Sequence, residues 1–159
     1  MVNFINPIDL LIALIIILIA GLGIKNGCIL ELKKIVNLFF SALFPQIIIK
    51  YTPIISLQTE TISALLYFLM FTIFLFVIGF LIDLGIYRLP LFTIEENVNK
   101  LISVLLGALK SLILIAILLF AIDSLPIQKS VKENFFLKAN KESILFKTCN
   151  NLKELIINQ

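Results

Sequence analysis

TISALLYFLMFTIFLFVIGFLI, residues 61–82, is a run of 22 residues without a charge, closed by Glu60 on one side and Asp83 on the other. A helix rises 1.5 Å per residue, so about 20 residues cross the hydrocarbon core of a bilayer. A stretch this long and this rich in Phe, Leu and Ile would aggregate in water; lipid is the solvent that suits it. It is read as a membrane-spanning helix.

Three further stretches extend the pattern. Residues 10–24 are uncharged between Asp9 and Lys25, and the uncharged residues before Asp9 lengthen this run to a span over 8–26. Residues 101–122 are interrupted only by Lys110 and hold 15 Leu, Ile, Val or Phe. At roughly −0.3 to −0.6 kcal/mol each, those side chains outweigh the ~3 kcal/mol that a central lysine costs, and the segment inserts. The remaining stretch, 31–50, is harder. Glu31, Lys33 and Lys34 stand at its start, and Pro45 interrupts an uncharged part of only 35–49. Such a run can span, lie in the interface or re-enter; proline alone does not decide, because membrane helices tolerate kinks.

Composition agrees with a membrane solvent. Of 159 residues, 60% are apolar and 14% charged, with a mean hydropathy of +1.11; a soluble domain is about 45–50% apolar and about 25% charged. Net charge is +3, too small and scattered for a nucleic-acid footprint. Residues 1–8 carry no Lys or Arg, so the cationic region of a signal peptide is missing and the first span is expected to stay in place. The expected fold is therefore all-α: a membrane-spanning helical bundle over 1–122, followed by a basic amphipathic tail over 123–159. That tail carries six lysines, and Ile144, Leu145, Leu152, Leu155 and Ile156 fall on one helical face. It is expected to lie on the lipid surface or in solvent.

Chemistry is sparse. There is no histidine, and Cys28 and Cys149 are far apart with no metal-ligand spacing. Nucleophile elbow, phosphate loop and metal motif are all missing. Lys110 and Ser111 are not a catalytic pair, since adjacent helix positions point about 100° apart. No enzymatic activity, metal or cofactor is expected.

Small residues carry more information. Ser103, Gly107 and Ser111 line one helix face, and Gly23 and Gly27 form a second small pair. In lipid such residues let backbones approach closely, so these five are the candidate packing seam. Lys110 lies on the flank of that face and is the candidate intramembrane polar site. Its expected partners are the hydroxyls of Tyr67 or Thr72, backbone carbonyls, a watery cavity or a carboxylate of another protein; the alternative is snorkelling to the interface. Asp9, Asp83 and Asp123 stand at the ends of apolar runs and are read as span-boundary acids.

Two stretches resemble the colicin V production protein family of bacterial inner-membrane proteins. Near the N-terminus, Ile8-Asp9 precedes a run ending Gly23-Ile24-Lys25-Asn26-Gly27, then Glu31-Leu32. Further on come Leu106-Gly107-Ala108-Leu109-Lys110-Ser111 and an apolar run to Asp123; Glu142-Ser143 with Leu145 is also similar. The chain departs from the pattern at Leu30, where the family tends to have a basic residue, and at Ser111, where it tends to have glycine. The resemblance implies a multi-pass protein of the bacterial inner membrane, acting in colicin or toxin production or export and in envelope homeostasis. Expected partners are the lipid bilayer and, beyond it, other membrane proteins or further copies of the chain; nucleic acid is not expected. The alternative function is a small channel or transporter subunit with Lys110 in a polar pathway.

The resemblance favours four spans. Charge favours three: with four, five cations fall on each side, whereas an in-plane second segment leaves only Arg88 and Lys100 opposite the rest. Four is the expectation carried forward.

Overall fold

The computed structural model describes residues 6–52, 60–86, 95–124 and 129–157. Among them are six helices and no strand: α1 (Pro7–Asn26), α2 (Cys28–Tyr51), α3 (Glu60–Ile86), α4 (Glu96–Ser124), α5 (Lys129–Glu142) and α6 (Ile144–Ile157). The first four are long and apolar enough to cross a membrane.

Local chemistry sets the first two helices. Asn6 caps α1 by accepting the Ile8 N–H at 3.0 Å, and Pro7 occupies the first helical position, where a missing N–H costs nothing. The helix stops at Gly27, whose φ of 79° and ψ of 158° lie in a region reserved for glycine. The next residue already begins α2. With no loop between them, the two helices reverse direction on one residue.

The second segment, α2, is a helix long and apolar enough to cross a membrane. It runs unbroken through Pro45 for 24 residues, about 36 Å at 1.5 Å per residue. It lies antiparallel to α3. Lys33 pairs with Asp83 at one end, the Asn37 side chain donates to the Leu75 carbonyl at 3.1 Å in the middle, and the Tyr67 hydroxyl donates to the Ala42 carbonyl at 3.1 Å beyond. Four helices long and apolar enough to cross a membrane thus alternate in direction. The two membrane faces are called here the Gly27 end and the Asp9 end.

The spans pack as a row rather than a square. α4 lies between α1 and α2, and α3 flanks the far side of α2. Between α2 and α4 the core is Ile35, Leu38, Ala42, Ile113 and Ile117, with Phe68, Phe71 and Phe120 against it. Tyr67, 2% exposed, meets the Phe120 ring edge-on at 4.8 Å and so ties α3 to both inner helices. The outer faces of α1 and α3, including Leu14, Ile17, Leu69 and Phe76, are exposed large apolar side chains. In lipid that exposure is solvation, not a defect.

The tail departs from a helix lying free on the lipid surface. α5 and α6 fold back onto the Asp9 end, where Ala139, Phe146 and Cys149 are buried in one cluster with Ile12, Ile115 and Leu119. Val131, Leu137, Ile144 and Leu155 remain on the outside.

Candidate functional site

Because α2 starts immediately after Gly27, Glu31 is carried one turn into the bundle, and its side chain has no exposed surface. Its position in the first turn suits the positive end of the helix dipole. Lys110 stands near the midpoint of α4. Helical side chains lean toward the helix N-terminus, which here is the Gly27 end, and the Lys110 ammonium reaches a Glu31 carboxylate oxygen. The other oxygen accepts from the Asn26 amide at 2.6 Å and from the Lys34 ammonium at 3.3 Å. The Glu31 carboxylate thus has three side-chain donors.

The partner of Lys110 is thus a carboxylate of the same chain, 79 positions away, and not one of the groups expected from the sequence. Both candidate hydroxyls are engaged elsewhere: Tyr67 with Ala42, and Thr72 with the Phe68 carbonyl at 2.8 Å in its own helix. Glu31 went unpaired in the sequence reading because it was counted with the charged flank of a doubtful span. The signal that locates it is the lone glycine between two helical segments, which leaves no loop in which a charge at 31 can sit.

Beside the ion pair, α1 and α4 touch backbone to backbone. A Cβ on Gly23 would stand 2.5 Å from the Ser103 carbonyl oxygen, and one on Gly107 would stand 2.9 Å from the Ala20 Cα. Ser103 and Ser111 are fully buried and turn their hydroxyls to the Asn99 and Ala108 carbonyls of their own helix, both at 2.6 Å. Gly23, Ser103 and Gly107 therefore meet in one seam, and Ser111 continues the α4 face beyond it. Gly27 has a different place. It is the α1–α2 reversal, next to Asn99, whose side chain accepts the Cys28 N–H at 2.8 Å.

The three acids at the span ends have separate partners. Asp83 pairs with Lys33. Asp123 pairs with the nearly buried Lys153 of α6 at 3.0 Å, and its carbonyl accepts from Lys132. Asp9 accepts the Ser143 hydroxyl at 2.6 Å and the Leu145 N–H at 3.0 Å, while the Ser143 oxygen accepts the Phe146 N–H at 3.0 Å. Asp9 and Ser143 together satisfy the first N–H groups of α6, which would otherwise lack partners. Lys153 is a contact residue that the sequence reading does not single out, and Ser143 enters that reading only through the family-like Glu142-Ser143 stretch.

Burial at this end pushes the Cys149 thiol up to about 11. Among the described residues no three His, Cys, Asp or Glu side chains gather as a metal site requires.

A helical protein with four helices long and apolar enough to cross a membrane, an ion pair buried between two of them and a folded-back tail is the class these observations define. The model of the colicin V production protein family matches residues 8–154. The chain belongs to that family, which is not a known enzyme family. No curated protein and no solved structure matches it.

Asp9 docks on Ser143 and Leu145, and Glu31 docks on Lys110, so stretches far apart in the chain come together as two contacts.

Proposed function

We propose that the chain is a non-enzymatic factor of the bacterial inner membrane that assists toxin production or export and envelope homeostasis through protein or lipid partners. The observation that carries this reading is the Glu31–Lys110 pair. Both charges are satisfied inside the chain, with Lys110 only 13% and Glu31 0% exposed at the side chain. Spent on each other, they fasten α2 to α4 and leave the outer faces of α1 and α3 as the surfaces offered to the membrane and its proteins. A helix pair fixed in this way is a scaffold.

The test has two arms. Photo-crosslinking residues placed at Phe76 and Phe80, both outward on α3, are expected to capture discrete membrane proteins in cells, and toxin secretion is expected to fall in cells lacking the chain. Secretion that is unchanged without the chain removes the reading. The channel alternative makes the opposite prediction for the pair. A pathway through Lys110 loses flux in liposomes when Glu31 and Lys110 are both replaced by Leu, whereas the scaffold retains secretion in the same double variant.

A further inference from the structure

At the Asp9 end, a groove of about 580 Å³ opens between the start of α1 and the outer side of α5. That volume lies within the roughly 300–1,000 Å³ range of small-ligand clefts. Pro7, Ile8, Phe135 and Ala139 supply its apolar walls, and Lys138 and Glu142 supply its charges. Both charged side chains are exposed, and among the described residues neither forms an ion pair. Their order explains why they leave each other alone. Lysine four residues before glutamate is the weaker orientation of a helical pair. Asp9, at the start of α1, is already committed to Ser143 and Leu145.

We propose that this groove is a binding site for a zwitterionic phospholipid with a primary-amine headgroup, of the phosphatidylethanolamine class. Three observations select it. Pro7 opens the first span, so the groove lies at the depth where headgroups meet the hydrocarbon core. Directly along α1 from it, Leu10, Leu11 and Leu14 present exposed apolar surface on which acyl chains lie. The groove offers one cation and one anion about 5–6 Å apart at Cβ, one helical turn. A phosphate and an ammonium joined by a two-carbon link complement that spacing. The balance of charge disfavours an anionic lipid, which would meet Glu142 with no cation of its own. A quaternary choline cannot donate a hydrogen bond to that carboxylate, so a primary ammonium is preferred. The site goes beyond the scaffold reading and does not depend on any role in export.

The experiment is native mass spectrometry of the full chain released from vesicles containing equal parts phosphatidylethanolamine, phosphatidylcholine and phosphatidylglycerol. The wild type is expected to retain phosphatidylethanolamine over either competitor. Lys138→Glu and Glu142→Lys are each expected to lower that retention about tenfold, the effect of one charge-assisted hydrogen bond. The double variant carrying both changes restores it, because the pair of charges is re-created in reverse. Lys138→Gln, which removes charge without reversing it, repeats the test should Lys138→Glu lose its thermal transition. Preferential retention of phosphatidylglycerol, or single variants that hold phosphatidylethanolamine as well as the wild type does, overturns the proposal. So does displacement by soluble phosphoethanolamine at equal concentration, which would make the free headgroup the ligand.

Discussion

At the Gly27 end, a carboxylate without exposed surface faces a lysine from the middle of α4. At the Asp9 end, an aspartate holds α6 through a serine hydroxyl and a backbone N–H, on the rim where α1 begins. Both contacts join chain segments more than 70 positions apart, yet they differ in what happens when one partner is lost. A lysine held inside the bundle and stripped of its carboxylate loses its counter-charge with little water to replace it, while an aspartate at a rim regains water. The first contact is therefore an all-or-none lock, and the second is a latch that can open.

The largest expected effect lies at the lock. Glu31→Leu leaves Lys110 without its carboxylate, and the cost of breaking a buried pair is about 3–5 kcal/mol. Lys110→Leu is expected to cost less, because Glu31 keeps Asn26 and Lys34. Replacing both by Leu recovers most of the loss, since an apolar pair of similar volume removes two desolvated charges together. Unfolding in mixed detergent micelles reads all three. Equal stability of wild type and Glu31→Leu would show that the contact fastens nothing.

Next in size is the seam beside the lock. Gly107→Val and Gly23→Ala each place a Cβ against backbone, at 2.9 Å from the Ala20 Cα and 2.5 Å from the Ser103 oxygen respectively. Neither neighbour is a flexible side chain, so the helices themselves must separate. Overpacking of this kind costs about 1–3 kcal/mol. Gly21, which has open space around its Cβ position, is the control: Gly21→Ala on the outer face of α1 should leave the unfolding midpoint unchanged or slightly raised, as alanine favours helix.

The same contrast explains what could be read from the sequence. Residues 61–82 were recognisable because a run without charge has one stable solvent, and α3 covers them whole. The second span was ambiguous because Pro45 and the early charges weaken its apolar signal; its length becomes evident only when Gly27 is recognised as the entire connection between α1 and α2. Lys110 drew attention as a charge within an apolar run. Its partner did not, since pairing positions 31 and 110 requires knowing that α2 runs alongside α4. The tail was the least legible part. Phe146 and Cys149 suit a lipid surface as well as a protein interior, and only the contacts of Asp9 and Asp123 with α6 distinguish the two.

The latch gives a smaller effect with a distinct readout. Asp9→Ala removes a cap from α6, a loss of about 1 kcal/mol. Global unfolding will barely report it, but Cys149 will. That thiol is fully buried, with its pKa raised by burial from the ordinary 9.0 to about 11. Thiolate is the reactive form, so maleimide labelling at pH 7.5 is expected to be slow in the folded protein and severalfold faster in Asp9→Ala. The sign of the pH dependence follows from the raised value. Folding favours the neutral thiol, so tail docking keeps this contribution below pH about 9 and loses it as pH rises toward about 11. Labelling that is equally fast with and without Asp9 would place the opening of α6 elsewhere.

The smallest effect expected is at the second attachment of the tail. Lys153 donates to Asp123 at 3.0 Å and lies over the Phe136 ring at 4.9 Å from its centre, but Asp123 is half exposed to water, which screens the pair. Lys153→Met keeps the apolar stem against Phe136 and removes only the charge. It should speed Cys149 labelling less than Asp9→Ala does. Combined with Asp9→Ala, it should add to the effect by more than the sum of the two, because either attachment alone can hold α6 in place while the other opens. Simple additivity in that double variant would mean that the two ends of α6 open independently, and the tail would then have to be described as two separate contacts instead of one hinged element.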